Sequence, residues 1–222
     1  MIRSPATCGT ARVLRPGTGG PVAIARTYDA AVGKVITTIH DAYQDRLHKW
    51  SDIQEYLPFL HETVRSYPQA RVLELGARQG NSTLAFLSAA LTVRGSVVSA
   101  DIDPVTDFTE GMLRWRDCPW WTFIQGDDMD PAVQARLPGV VDVLFIDTSH
   151  EYGHTLAELR AYMPRVAPGG VALFHDTRIF GTWSEPGDTV PPVARALDDW
   201  CAETGRSWEN LPGEYGLGLI RL

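Results

Sequence analysis

A chain of 222 residues, 44% of them hydrophobic and 21% charged, is long enough to close one α/β domain around a full core and short for two. A formal net charge of −7 with no basic run argues against a nucleic-acid surface, because phosphate binding needs clustered Lys and Arg. No apolar run approaches the length that spans a bilayer, and the odd, widely spaced Cys8, Cys118 and Cys201 suggest neither a disulfide framework nor a Cys-based zinc site. A soluble protein of a reducing cytoplasm, without nucleic-acid or membrane partners, is expected.

Residues 1–22 are rich in Gly, Pro and Thr without periodicity and read as a flexible arm; the scattered arginines there lack the apolar core of a signal peptide. From Tyr28, apolar residues recur at helical spacing through Val32, Val35, Ile36, Ile39, Tyr43, Leu47 and Trp50. Ser51 with Gln54 has the form of a capping box that opens a further helix carrying Ile53, Tyr56, Leu57, Leu60 and Val64 on one face. Residues 23–68 are thus expected to be a helical layer ahead of the first strand. His40, Tyr43 and Trp50 are its candidates for a lid, against the plainer reading that they only pack.

Strands and helices then alternate. Strands are expected at 71–75, 96–100, 121–125, 141–146 and 170–175, with two closing strands near 207–211 and 216–221. Helices are expected from Asn81 or Ser82 as cap to about 92, near 108–116, near 131–137, at 155–163 with Thr155 and Glu158 as a second capping box, and at 190–204. Such alternation implies a parallel sheet with helices on both faces, a doubly wound, Rossmann-like α/β fold. Gly216 and Gly218 in the last strand suggest close backbone approach.

The stretch RVLELGARQGNST, residues 71–83, reads as a buried strand, a glycine-bearing turn and a helix start, a geometry that presents backbone N–H groups at the carboxyl edge of a sheet. It is not the dinucleotide fingerprint, since Arg78 and Asn81 stand where the second and third glycines would be. Residues 71–177 resemble the class I S-adenosylmethionine-dependent methyltransferases. The resemblance rests on Glu74, Gly76 and Gly80 in the first turn, Asp101 closing VVSAD, Gly126-Asp127-Asp128 after WTFIQ, VDVLFIDTSHEY, and APGGVALFHDT. It implies a methyltransferase domain over 69–222 with seven strands, the seventh antiparallel. It also implies that Glu74, Gly76, Ala77, Arg78, Gly80 and Ser82 carry the methionine end of the cofactor, that Asp101 takes the ribose, that Asp127 and Asp128 take the adenine, and that Asp147 lies against the cofactor.

Asp147 and Asp176 end neighbouring strands, which sit roughly 5 Å apart, and so can share a divalent cation such as magnesium. The alternative is that Asp147 holds the cofactor amine or substrate and Asp176 caps a turn. The segments ELGARQGNSTLAFL and FIDTSHEYGHTLAELRAYMPRVAPGGVALFHDT are similar to the metal-dependent sugar and macrolide O-methyltransferases of antibiotic biosynthesis and their cephalosporin-biosynthesis relatives. That likeness implies a metal on Asp147, His175 and Asp176. His175 stands where an acid is common, which admits manganese beside magnesium. His150, three residues after Asp147, is a candidate general base or a loop anchor, and His154 is expected to be solvated. Trp115, Trp120 and Trp121 are candidates to flank a ring or to pack, and the loop 178–192, with Phe180 and Trp183, for acceptor recognition. The expected function is O-methylation of a small natural-product acceptor, a sugar hydroxyl, with Asp147 and His150 catalytic. The competing readings are a metal-independent N-methyltransferase on an amino sugar and a nicotinamide-dependent oxidoreductase. Surface left by the N-terminal segment suits a homo-oligomer.

Overall fold

Short apolar runs set off by glycine and proline turns become the strands of one sheet. The structure is a computed structural model that describes residues 39–104, 118–181, 184 and 186–222. Its strands are β1 (Arg71–Leu75), β2 (Ser96–Asp101), β3 (Trp121–Gln125), β4 (Val141–Ile146), β5 (Val166–His175), β6 (Glu209–Leu211) and β7 (Leu217–Arg221). Helices are α1 (residues 39–46 as described), α2 (Leu57–Arg65), α3 (Asn81–Thr92), α4 (Pro131–Gln134), α5 (Tyr152–Tyr162) and α6 (Pro192–Thr204). The expected arm 1–22, the helix near 108–116, Cys8, Trp115 and Trp183 lie outside the described residues.

Among the described residues the seven strands lie in the order β3-β2-β1-β4-β5-β7-β6. β1 to β5 run parallel; β7 pairs antiparallel with β5, and β6 antiparallel with β7. Alternate residues of each strand face opposite layers, as the twofold side-chain period requires. Val72, Val143, Phe145, Val171 and Leu173 pack with α1, α2 and α3, whereas Leu73, Leu75, Leu144, Ala172 and Phe174 pack with α4, α5 and α6. On the first side Phe86 of α3 meets Phe145 edge-on, with ring centroids 5.3 Å apart. Residues 39–68 belong to the same compact unit as the sheet, Val35–Leu222. No helix among the described residues is long and apolar enough to cross a membrane.

Three expected caps are corrected. α3 starts on Gly80 in the left-handed region (φ 73), with no side-chain cap from Asn81 or Ser82. Gln54 Nε2 donates to the Leu47 carbonyl at 2.7 Å, residues 54–56 form a single 3₁₀ turn, and α2 begins only at Leu57. α5 begins at Tyr152, with an extended Glu151 as its N-cap, so Thr155 and Glu158 lie inside the helix and form no capping box. β5 starts earlier than expected, at Val166, because Val166 pairs with Val141 across a bulge that carries the strand through Gly169 and Gly170. The helix after β3 ends at Gln134, short of residue 137.

Candidate active site

The strand order moves outward from β1 to β2 and β3 and then returns to place β4 on its other side, which opens a crevice at the carboxyl ends of β1 and β4. Gly76 follows β1 and lies against the residue that follows β4. A Cβ on Gly76 would stand 1.9 Å from the Asp147 carbonyl oxygen, and its φ of +82 suits glycine. The turn continues through Arg78 (φ 42) to Gly80. Ala77 and Arg78 donate their backbone N–H groups to Asp101 Oδ2 at 2.8 and 2.7 Å, and Asp103 donates to Asp101 Oδ1 at 2.9 Å. Asp101 therefore clasps the glycine turn, with a second lone pair on Oδ1 for another donor.

A cleft of about 360 Å³ runs from Gly76, Arg78 and Asp101 past Asp127 and Asp128 to Asp147. A hollow of about 110 Å³ adjoins it through Gly76, Arg78 and Asp147 and adds Ala77, Ser82 and Trp50. Eight of the ten residues expected at the cofactor thus converge on one concavity. Gly80 and Glu74 do not line it. Glu74 is fully buried on the α3 side of the sheet and accepts hydrogen bonds from the hydroxyls of Ser82, Thr83 and Ser99. Burial pushes its carboxyl up to about 7, against the pull of those donors. It ties β1, β2 and α3 together behind the turn.

The second half of the site grows from register. Ile146 pairs with Phe174, so Asp147 stands beside His175, and Asp176 lies one residue further on. Asp176 adopts a left-handed φ of 58, which turns its side chain back toward the same group. His175 Nδ1 lies 3.4 Å from Asp147 Oδ1 and 3.5 Å from Asp176 Oδ1. His150, also left-handed (φ 60), sets its Nε2 2.9 Å from Asp147 Oδ1 and 3.2 Å from Asp176 Oδ2. Burial favours neutral rings, yet the carboxylates outweigh it: His150 is raised above its ordinary pKa, chiefly by Asp147, and His175 is raised to about 9 by Asp147 and Asp176. The two imidazoles in turn overcome burial at Asp147 and hold its carboxyl below the usual carboxylate range, whereas burial prevails at Asp176 and raises it. Both ring nitrogens of His175 and Asp176 Oδ1 are buried without a hydrogen-bond partner, and ligand atoms of Asp147, His175 and Asp176 all lie within 4.8 Å of one another. One imidazole and two carboxylates in such an arrangement fit a divalent cation. Tyr56 and Tyr215 flank the His175 ring.

Other candidates fall elsewhere. His40 is exposed, its Nδ1 3.0 Å from Ser88 Oγ of α3, and Tyr43 is buried and stacked on His61 of α2, whereas Trp50 is 82% exposed at the mouth of the smaller hollow. Trp121 donates to Ser99 and Trp120 joins the core, so neither faces the cleft. Phe180 is exposed. His154 is not solvated: its Nε2 lies 3.2 Å from Asp128 Oδ1 and 3.4 Å from Glu158 Oε1, and these two carboxylates push it up to about 10. Asp52, whose Oδ2 takes the Arg78 guanidinium at 2.7 Å, was missed along with Glu158. The His154/Glu158 pair had a readable signal in its i,i+4 spacing; Asp52 had none, because its partner lies across the crevice.

Residues 73–177 match a family model described as a methyltransferase domain. No curated protein sequence matches the chain. Among solved structures, an O-methyltransferase from Bacillus cereus in complex with SAH is 17% identical over 84% of this chain and 91% of its own, with a TM-score of 0.62. The O-methyltransferase TomG from Streptomyces achromogenes, involved in tomaymycin synthesis and solved with SAM, is 18% identical over 83% and 89%, TM-score 0.61. MycE, a methyltransferase of the mycinamycin biosynthetic pathway solved with Mg and SAH, is 22% identical over 84% of this chain and 54% of its own, TM-score 0.56. At these identities the likeness is one of fold.

Proposed function

We propose that the chain, whose residues 73–177 match a methyltransferase-domain model, moves a methyl group from S-adenosylmethionine to a hydroxyl oxygen of a small natural-product acceptor, a sugar hydroxyl. The observation that carries this reading is the sharing of Asp147 between two sites: the cleft walled by Gly76, Asp101 and Asp127, and the cluster of His150, His175 and Asp176. A donor in the cleft would bring its methyl group to the carboxylate and imidazole that can manage an acceptor's proton. TomG and MycE, of similar fold, come from antibiotic pathways, which supports the acceptor class.

In the transfer the carbon–sulfur bond of the sulfonium breaks as the oxygen–carbon bond forms, and the sulfur keeps the electron pair. The acceptor oxygen loses its proton. Much of the acceleration then comes from holding oxygen, carbon and sulfur in line. Asp101 and the Gly76 turn fix the donor, Asp147 orients the acceptor, and neutral His150, its Nε2–H directed at Asp147 and Asp176, receives the proton at its other ring nitrogen, the two carboxylates stabilising the imidazolium formed. A divalent cation, magnesium or manganese, would be held by Asp147, His175 and Asp176 and would lower the pKa of the acceptor hydroxyl.

The test is calorimetric titration with S-adenosylhomocysteine together with methyl transfer to a panel of sugar hydroxyl acceptors, with magnesium and after chelation. Asp147→Ala should lower turnover by about 10²-fold or more with the fold intact. Full activity in that variant would remove Asp147 from the chemistry, and no binding of the cofactor product would undo the reading.

A further inference from the structure

A second cluster, sharing no residue with the first, borders the same cleft between the loop after β3 and α5. Asp128 follows β3, while His154 and Glu158 stand one helical turn apart on α5. Their ligand atoms all lie within 4.8 Å of one another. We propose that Asp128, His154 and Glu158 form a cation site that takes one divalent transition-metal ion, zinc, and clamps the Asp128 loop to α5.

The spacing suits it. Donors held about 2.0–2.1 Å from a zinc ion are separated by roughly 2.8–3.4 Å at octahedral to tetrahedral angles. His154 Nε2 lies 3.2 Å from Asp128 Oδ1 and 3.4 Å from Glu158 Oε1. A single ring nitrogen thus faces two carboxylates, and one N–H cannot make a linear hydrogen bond to both. Glu158 is fully buried, Asp128 nearly so, and Glu158 Oε2 and Asp128 Oδ2 have no hydrogen-bond partner. No Lys or Arg among the described residues pairs with either carboxylate. Two buried carboxylates against one imidazolium leave negative charge uncompensated, which is costly; a dication binding the Nε2 lone pair and both carboxylates removes that excess.

The donors are also oriented from outside. Thr148 donates its hydroxyl to Glu158 Oε1 at 2.7 Å, and Tyr162 donates to the Asp128 carbonyl. Such outer partners characterise ligand sets held in place for a metal. Asp128 and His154 both line the 360 Å³ cleft, which gives an ion its path and leaves coordination open toward the cleft. One nitrogen with two carboxylates is a donor set that zinc accepts, and because the first cluster offers the same set that cluster is silenced in the test. None of this depends on the proposed transfer reaction.

The experiment uses the metal-stripped full chain and zinc alone, with bound zinc counted by elemental analysis after equilibrium dialysis and the melting temperature followed in parallel. To silence the other cluster, Asp147→Asn/Asp176→Asn serves as background. The expected result there is one zinc per chain and a raised melting temperature. Adding Glu158→Gln should weaken binding by about tenfold or more and abolish the thermal shift. The metal-free Glu158→Gln protein should melt no lower than its metal-free parent, since the change removes one of two buried carboxylates crowded on a single imidazole. Absence of bound zinc in the background protein would overturn the proposal and leave an imidazolium–carboxylate cluster, as would zinc binding that Glu158→Gln does not change.

Discussion

Replacing Gly76 by alanine tests whether the contact between β1 and β4 builds the site. The new Cβ would lie 1.9 Å from the Asp147 carbonyl oxygen and 2.6 Å from its carbon, both backbone atoms that cannot swing aside. An ordinary carbon–oxygen contact is about 3.3 Å or more, so the ends of the two strands must part by more than an ångström. That movement strains two hydrogen bonds, Asp147 N–H to the Leu75 carbonyl and Gly76 N–H to the Ala100 carbonyl, each 2.9 Å long. A buried donor or acceptor left unmade costs about 1–3 kcal/mol, and a left-handed alanine adds about 1–2 kcal/mol. With both bonds lost the total is about 3–8 kcal/mol, a large share of the roughly 5–15 kcal/mol that stabilises a typical protein. Urea denaturation measures the loss, and calorimetry with S-adenosylhomocysteine should show binding weakened at least in step, because the displaced turn also carries Ala77 and Arg78 away from Asp101. A Gly76→Ala protein within about 1 kcal/mol of its parent and with unchanged affinity would refute the reasoning.

Two further outcomes are expected. Glu74 has a folded pKa of about 7 against an ordinary value of 4.5, so the fold holds its proton more tightly than the unfolded chain does. The stability this contributes is complete below pH 4.5 and is lost as pH rises to 7 and beyond, by about 3 kcal/mol at most. Urea midpoints at pH 5 and pH 8 should therefore differ less in Glu74→Gln than in the parent, and an equal difference would show that the hydroxyl donors already keep Glu74 ionised. Phe86→Ala removes the ring packed on Phe145 and should cost about 3–5 kcal/mol in the same assay; a loss below about 1 kcal/mol would mean that α3 closes over the gap.

Much of the sheet was legible because local pattern and buried surface coincide there. The runs 71–75, 121–125 and 141–146 are strands at the expected bounds, since each is a short apolar stretch stopped by residues that turn the chain. The strand ends then placed Asp147, His175 and Asp176 together, and the glycine turn placed Gly76, Ala77, Arg78 and Asp101, because in a parallel sheet the carboxyl ends share one edge. Capping was not legible in this way. Ser51 with Gln54 and Thr155 with Glu158 have the form of capping boxes, yet Gln54 is drawn to the Leu47 carbonyl and Glu158 to Thr148 and His154. Glu74 has the place of a cofactor residue in the motif, but the twofold alternation of β1 points it into the layer beneath α3.

What the sequence determined by itself was the succession of elements and the chemistry carried at their ends, since both depend on spacing within a few residues. What only tertiary structure decided was which ends face one another. The order β3-β2-β1-β4-β5 sets Gly76 against Asp147 and sets Asp147 beside His175. The packing of α5 against the loop after β3 brings His154 and Glu158 to Asp128. Those partners lie tens of residues apart, and the surface buried between layers, with no pattern along the chain to announce it, selects them.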